Sequence, residues 1–161
     1  MADVMRSRKW LRTINNPIEH GFRHEYLREA MTNFSSGLYW CMCDEVGDEC
    51  ETLHTHLYAV FNNPVPHTQL DKHFPNMHRD VVKGKSSENR SYVRKEGEKF
   101  NRESDGSYEY TDSNGKLHKG INYIDTFEEW GDIPQEHQGK SNESDLIISM
   151  IKAGASDAEI V

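Results

Sequence analysis

The sequence predicts an α+β layer sandwich, in which a central antiparallel sheet of about five strands carries helices packed on one face. Short β-prone segments alternate with segments of helical periodicity, and two aromatic-rich strands flank an acidic loop. Asparagine, proline, serine and glycine mark the boundaries between these segments. The second face of such a sheet is open, so we expect it to carry the functional site.

The order of the predicted elements is β-α-β-β-α-β-α. They are a strand at 9–14, a helix at about 22–34, a hairpin of strands at 38–46 and 53–62, a short helix at 66–74, a strand at 77–82 and a helix at 86–96. The turn residues Asn15, Asn16 and Pro17 end the first strand, and Ser86 begins the last helix. This order is typical of a ferredoxin-like or RNA-recognition-like sheet.

The last third of the sequence is polar and rich in glycine, which indicates loops or a hairpin. Residues 108–110 and 117–123 are expected to be edge strands. Residues 135–143 have the composition of a linker, and two amphipathic segments follow, the second of which is cut short by the chain end. We therefore expect a main domain over 1–135 and a linker with a helical tail over 136–161, leading to a further domain.

Length and composition restrict the class of protein. The chain has 161 residues, of which 35% are hydrophobic and 29% charged, and this fits one polar globular domain with a short appendage. No apolar run is long enough for a membrane span or a signal peptide. The three cysteines cluster between positions 41 and 50, which is not a disulfide framework. These features predict an intracellular protein without a membrane partner.

The charge of −8 is unevenly distributed. Residues 1–100 carry 14 basic and 14 acidic side chains, whereas residues 101–161 carry 5 and 13. The first hundred residues contain two basic clusters and one acidic cluster: Arg6, Arg8, Lys9 and Arg12; Arg79, Lys83, Lys85, Arg90, Arg94 and Lys95; and Asp44, Glu45, Asp48, Glu49 and Glu51. Basic clusters beside an acidic one indicate phosphate binding near a metal ion.

Two histidines and a carboxylate form a candidate metal site. His54 and His56 are two positions apart on a predicted strand, so both imidazoles lie on one face and can bind one ion. A carboxylate from the neighbouring strand completes a three-ligand site with open positions for substrate oxygens. Asp44 and Glu45 are both candidates, and strand alternation with the spacing to His54 favours Glu45.

Two other interpretations of these histidines remain open. In the first, they lie on a half-exposed strand and bind nothing. In the second, Cys41 and Cys43, also two positions apart on the hairpin, join His54 and His56 in a closed, structural zinc site. Zinc knuckles usually place two residues between their cysteines, at a turn, so the spacing here disfavours this site.

A tyrosine and a lysine form a candidate nucleophilic pair. Tyr92 and Lys95 are three positions apart on a predicted helix and therefore share a face, with Arg94 beside them. A phenol becomes a useful nucleophile only when a metal, a base or a lysine compensates its charge. Taken alone, the pair is weak evidence, because a packed tyrosine beside a solvated lysine is the more common arrangement.

Three segments together resemble the motif set of HUH endonucleases, in particular the replication initiator (Rep) proteins of circular single-stranded DNA viruses and related bacterial plasmids. Residues 11–17 (Leu-Arg-Thr-Ile-Asn-Asn-Pro) are similar to motif I. Residues 53–61 (Leu-His-Thr-His-Leu-Tyr-Ala-Val-Phe) are similar to motif II, and residues 91–97 (Ser-Tyr-Val-Arg-Lys-Glu-Gly) to motif III. The resemblance covers residues 9–135 and departs at Thr55, where the family usually has a bulky apolar residue.

The resemblance implies an enzyme that nicks and rejoins single-stranded origin DNA at a stem-loop and thereby initiates rolling-circle replication. It implies that Glu45, His54 and His56 hold Mn²⁺ or Mg²⁺ and that Tyr92 forms a 5′-phosphotyrosine. Two imidazoles suit Mn²⁺ better than Mg²⁺. Lys95 either positions the phosphate or moves the phenol proton. A helicase domain would follow in the full-length protein, which would work in the bacterial cytoplasm or, for a virus, in the host nucleus.

Five polar residues are candidates for contacts with the DNA backbone and bases. They are Arg12, Asn15 and Asn16 of motif I and Lys83 and Lys85 before motif III. The alternative function is a non-catalytic, single-stranded nucleic-acid-binding module of RNA-recognition shape, in which the histidines bind no metal.

Overall fold

The computed structural model describes residues 5–47, 52–73, 78–82 and 84–136. In chain order, the elements are β1 (Arg6–Asn15), α1 (Pro17–His20), α2 (His24–Thr32), β2 (Gly37–Gly47), β3 (Leu53–Pro66), α3 (His67–His73), β4 (His78–Val81), α4 (Ser86–Arg94), β5 (Asn101–Arg102), β6 (Ser107–Thr111) and β7 (Leu117–Gly131). The predicted α+β class is confirmed. The predicted helix at 22–34 is shorter at both ends, and a separate turn of helix, α1, precedes it.

The strands of the described residues form one antiparallel, seven-stranded sheet in the order β4-β1-β3-β2-β7-β6-β5. The part β4-β1-β3-β2 is the ferredoxin-like arrangement that the element order predicts. The expectation of about five strands is too low, because β7 pairs with β2 and adds β6 and the two-residue β5. β7 is therefore an interior strand and not an edge strand, and it covers backbone groups of β2 that an edge would leave unpaired.

One face of the sheet holds the larger apolar core, covered by α2 and α3. Leu27, Ala30 and Met31 recur at helical spacing and give α2 its buried side. The core that they join contains Trp10, Ile14, Phe34, Trp40, Met42, Leu57, Ala59, Phe61, Val65 and Leu70. These two helices lie where the sequence places them, between β1 and β2 and between β3 and β4.

The opposite face is not open, because α4 packs on it. Val93 of α4 lies in a second cluster with Tyr58 and Val60 of β3 and with Leu11, Tyr39, Cys41 and Cys43. The expectation that helices pack on one face only is therefore wrong. The reason lies in β3, where every residue from 54 to 61 is buried. A strand that is apolar or buried at consecutive positions needs cover on both faces.

Several predicted features lie outside the described residues. These are most of the acidic loop at 47–52, the side chain of Lys83 and nearly all of the tail at 136–161. The division between a main domain and a tail therefore stays a prediction. Within the described ranges, no helix has the length and apolar character needed to cross a membrane.

Candidate metal centre

The pairing of β2 with β3 brings the predicted metal ligands together. Glu45 lies opposite His54 in the register, and His56 projects from the same face two positions further along β3. Glu45 Oε2 is 3.3 Å from His54 Nε2 and 3.1 Å from His56 Nε2. Their exposed fractions are only 2%, 8% and 6% for Glu45, His54 and His56. One atom from each residue can therefore bind the same ion, since these atoms lie within 4.8 Å of one another.

The hydrogen bonds of the two imidazoles fit a bound cation. His54 Nδ1 is 3.4 Å from the carbonyl oxygen of Thr52, which can only accept, so Nδ1 carries the proton. Its other ring nitrogen, Nε2, faces the Glu45 carboxylate. His56 Nδ1 is 3.2 Å from Thr13 Oγ1, which orients the second ring. Partners of this kind on the outer nitrogen are typical of metal-binding histidines, and a divalent cation fits the acceptor atoms that face one another.

Asp44, the other candidate carboxylate, points to the opposite face of the sheet. Its Oδ1 accepts a hydrogen bond from Thr55 Oγ1 at 2.6 Å and lies 2.7 Å from His24 Nε2. Strand alternation therefore separates the two neighbouring acids, and Glu45 is the residue at the histidines.

Three further side chains surround the Glu45 carboxylate. Tyr108 donates its hydroxyl proton to Oε2 at 3.0 Å, while Lys95 Nζ and Asn122 Nδ2 lie 3.0 and 3.3 Å from Oε1. Burial alone raises the pKa of Glu45, but the charge and hydrogen bonds of His56, the hydrogen bond of His54 and the charge of Lys95 outweigh it. The net result is a pKa far below the ordinary value, so the carboxylate is ionised and available to a cation.

Lys95 lies under the ring of Tyr92 and is 1% exposed. It ends α4 in the left-handed conformation, with φ of 53°, and its Nζ donates to the carbonyl oxygen of Tyr92 at 2.8 Å. The same nitrogen is 3.6 Å from the centroid of the Tyr92 ring. Burial lowers the pKa of Lys95, while the Glu45 carboxylate opposes that shift. The predicted pairing of Lys95 with Tyr92 is present, but the ammonium is buried beneath the site and not in the open cleft.

Tyr92 shares a cleft with the metal ligands. Its ring centroid is 5.5 Å from that of His56, and both residues line a cleft of about 280 Å³ together with Glu45 and His54. The other wall of the cleft includes Tyr108, Tyr110 and His118 from β6 and β7. A tyrosine hydroxyl and a three-ligand metal site can therefore act on one substrate group.

Of the five predicted DNA-binding residues, Asn15 lines this cleft and is exposed. Asn16 precedes α1 in the left-handed conformation, and its backbone N–H donates to the carbonyl oxygen of Leu53 at 3.0 Å. Lys85 is the N-cap residue of α4, seven residues before Tyr92 and about 10 Å away along the helix axis. Lys83 lies outside the described residues.

Arg12 does not lie at the cleft, which corrects its predicted role as a DNA contact. Its neighbour Thr13 faces His56, so Arg12 projects from the opposite face. There it is 1% exposed, and Nη2 bonds to Asp71 Oδ1 at 3.0 Å. The guanidinium therefore ties β1 to α3.

The closed zinc site is wrong. The metal-ligating group that the described residues form contains Glu45 and the two histidines and neither cysteine. Cys43 Sγ contacts the carbonyl oxygen of Tyr123 at 3.3 Å. Burial raises the pKa of the Cys41 thiol to about 12 and also raises that of Cys43, so both thiols are protonated in the metal-free protein.

Comparison with known proteins identifies no family for this chain. No protein-family model matches it, and no curated protein matches it. The resemblance to HUH endonucleases therefore stays a prediction from the three sequence motifs.

Sequence reasoning missed Tyr108 and Asn122, which both bond to Glu45. Tyr108 belongs to a segment expected to be an edge strand, where its alternation with Tyr110 was the only signal. Asn122 carries no motif, and only the pairing of β7 with β2 places it opposite Glu45.

Proposed function

We propose that this chain is the metal-dependent HUH endonuclease domain of a Rep-type replication initiator, which nicks and rejoins single-stranded origin DNA. The observation that carries this proposal is the convergence of motif II and motif III on one cleft. Glu45, His54 and His56 can hold one ion there, and Tyr92 lines the same cleft. The combination of a single-ion site with a neighbouring tyrosine suits phosphodiester transfer through a covalent intermediate.

The cation of this proposal is Mn²⁺ or Mg²⁺. Glu45 Oε2 and the Nε2 atoms of His54 and His56 would hold it, and the two imidazoles favour Mn²⁺. When bound, the ion supplies Lewis-acid polarisation of the scissile phosphate and offsets negative charge that develops there.

Tyr92 is the nucleophile of the proposed reaction. A bond forms between its phenol oxygen and phosphorus, the bond from phosphorus to the 3′ oxygen breaks, the phenol proton leaves and the 3′ oxygen gains a proton. The products are a 5′-phosphotyrosine and a free 3′-hydroxyl. Because one phosphodiester replaces another, attack by a 3′-hydroxyl reverses the step without ATP.

Lys95 supports this step through its charge. Its ammonium lies 3.6 Å from the centroid of the Tyr92 ring, where a cation favours negative charge on the phenol oxygen. The same ammonium is already bonded to Glu45 and to the Tyr92 carbonyl oxygen. These bonds favour an electrostatic role over direct contact with the phosphate.

The proposed partner is single-stranded origin DNA that forms a stem-loop. Asn15 at the cleft, Asn16 beside it and Lys85 at the start of α4 are the described candidates for its contacts. A following helicase domain, and a location in the bacterial cytoplasm or the host nucleus, belong to the same proposal because they depend on the same resemblance.

The decisive experiment incubates the full chain with an origin-like stem-loop single strand, with and without Mn²⁺, and measures the intact mass. We expect a Mn²⁺-dependent mass gain equal to that of the 3′ fragment. Tyr92→Phe should bind the strand as the unaltered chain does but form no adduct, because it lacks the attacking oxygen. Tyr123→Phe is the matched control, since Tyr123 is 40% exposed and pairs with Asp44 on the opposite face.

An adduct that persists in Tyr92→Phe would refute the assignment of the nucleophile. Binding without cleavage, on several origin sequences and with either metal, would favour the non-catalytic single-stranded nucleic-acid-binding module instead.

A further inference from the structure

The hairpin of β6 and β7 supplies hydrogen bonds that orient the Glu45 carboxylate. Oε1 lies 3.0 Å from Lys95 Nζ and 3.3 Å from Asn122 Nδ2. Oε2 accepts a hydrogen bond from the Tyr108 hydroxyl at 3.0 Å and lies 3.3 and 3.1 Å from the Nε2 atoms of His54 and His56. A carboxylate oxygen has two lone pairs, and Lys95 and Asn122 engage both on Oε1. Apart from Tyr108, the neighbours of Oε2 are the two histidines that would bind the cation with it.

Asn122 also connects the carboxylate to the helix that carries Tyr92. Its Nδ2 lies 3.0 Å from the carbonyl oxygen of Val93, the residue after Tyr92. Asn122 is 1% exposed, and its register partner across the sheet is Glu45. One amide group therefore bonds to a metal ligand on the sheet and to the backbone of α4.

Two glycines make room for this arrangement. A Cβ atom on Gly120 would lie 2.7 Å from the Tyr108 hydroxyl. A Cβ atom on Gly106 would lie 2.6 Å from the carbonyl oxygen of Asn122, and Gly106 has a φ of +98°, which favours glycine. The hairpin approaches the site this closely because both positions lack a side chain.

We propose that Tyr108 and Asn122 are positioning residues of the metal centre. Together they hold the Glu45 carboxylate so that it offers Oε2 alone to the cation, and Asn122 sets the distance between that carboxylate and the nucleophile helix. The second part rests on the proposed function, because it assumes that Tyr92 reacts. The first part concerns cation binding only and has a test of its own.

The first test measures Mn²⁺ binding to the full chain by titration calorimetry and by the electron paramagnetic resonance signal of free Mn²⁺. Tyr108→Phe removes one hydroxyl and keeps the ring, and we expect binding about 10- to 100-fold weaker, as for other outer partners of metal ligands. Tyr39→Phe is the matched control. Tyr39 is also buried and also donates its hydroxyl to a glutamate, Glu129, at 2.7 Å, but away from the cleft. Its Mn²⁺ affinity should equal that of the unaltered chain.

The second test separates the two roles of Asn122. At saturating Mn²⁺, Asn122→Ala should form the DNA adduct more slowly than Tyr108→Phe does, because only Asn122 also holds α4. Hydrogen exchange of the amides of Val93, Arg94 and Lys95 should accelerate in Asn122→Ala and not in Tyr108→Phe. If Asn122→Ala fails to fold, the Mn²⁺ affinity of Tyr108→Phe still decides the first part of the proposal.

The outcomes distinguish this inference from the proposed function. If the unaltered chain and Tyr108→Phe bind Mn²⁺ equally tightly, the positioning role is wrong and the nuclease proposal stands. If Tyr108→Phe binds Mn²⁺ more weakly but the unaltered chain forms no DNA adduct, the nuclease proposal is wrong and the positioning of the carboxylate stands. A chain that binds no Mn²⁺ contradicts both.

Discussion

Two clusters of histidine and carboxylate side chains lie on opposite faces of the sheet at β2. They contain different numbers of acids and histidines. Asp44 and Glu45 are consecutive, so their side chains point to opposite faces of the sheet. Asp44 shares one histidine, His24, with a second acid, Glu128. Glu45 faces two histidines alone. The two clusters therefore differ in how their charges are balanced without a metal ion.

In the cluster of His24, Asp44 and Glu128, which we call the cluster behind the sheet, the side chains balance one another's charges. His24 Nε2 is 2.7 Å from Asp44 Oδ1 and Nδ1 is 2.8 Å from Glu128 Oε2, so both ring nitrogens donate and the ring is an imidazolium. Burial lowers the pKa of His24, but the hydrogen bonds and charges of Asp44 and Glu128 raise it by more, so the net shift is upward. Two acids and one protonated histidine leave no place for a cation.

The cluster in the cleft has the opposite proportions. Burial lowers the pKa of His56, and the charge and hydrogen bond of Glu45 oppose that shift. The Nε2 atoms of both rings face one ionised carboxylate, and a divalent cation can bind all three groups together. The same two residue types therefore build a structural ion pair on one face and a candidate metal centre on the other.

The largest expected effect comes from exchanging the two neighbouring acids for their amides. Glu45→Gln should reduce Mn²⁺-dependent cleavage by about 10³-fold, because the loss of the charged ligand removes several kcal/mol of cation-assisted stabilisation. Asp44→Asn is the matched control and should keep Mn²⁺ affinity and cleavage while lowering stability. Calorimetric Mn²⁺ titration and adduct yield measure both variants. Loss of Mn²⁺ binding in Asp44→Asn alone would reverse our assignment of the third ligand.

A substitution in the core beside the site tests whether packing on one face of the sheet affects Mn²⁺ binding on the other. Leu57 follows His56 on β3, points to the opposite face and is 1% exposed. Leu57→Ala should lower the free energy of unfolding by about 2–5 kcal/mol through the cavity that it leaves. Urea denaturation measures this loss. While the variant is folded, its Mn²⁺ affinity should match that of the unaltered chain, and a weaker affinity would show that packing behind the sheet controls the metal centre.

The smallest expected effect is the pH dependence of the cluster behind the sheet. The raised pKa of His24 means that its contribution to stability is complete below the ordinary value of about 6.5. The contribution is lost as the pH rises through the folded-state pKa. The urea midpoint should therefore fall between pH 6 and pH 9 by more in the unaltered chain than in His24→Gln. Equal pH dependence in the two proteins would mean that His24 is not an imidazolium bridge.

The local sequence patterns predicted the fold well where the contacting residues are close together in the sequence. The alternation of the hairpin placed His54 and His56 on one face, and the spacing favoured Glu45 over Asp44, as the register confirms. Helix α4 begins at Ser86 as expected. These features depend on neighbours in one strand, one hairpin or one helix, so the periods of 2 and 3.6 residues are sufficient to find them.

The errors concern residues whose surroundings come from distant segments. Arg12 pairs with Leu57 of β3, and this pairing decides the face to which Arg12 points. The sequence of β1 alone does not reveal that pairing. Helix α4 covers the apolar face of the sheet that α2 and α3 do not cover. Lys95 becomes buried because the chain turns in a left-handed conformation at the end of α4 and directs it toward Glu45.

The sequence by itself determined the α+β class, the antiparallel character of the sheet and the identity of the three candidate ligands. Only the tertiary structure decided how the Glu45 carboxylate is held, because its partners Tyr108 and Asn122 are 63 and 77 positions away along the chain. A metal ligand can be recognised from short-range spacing, since its residue type and strand face are local properties. The orientation of its oxygens depends on hydrogen bonds from β6 and β7, and these exist only once β7 has paired with β2.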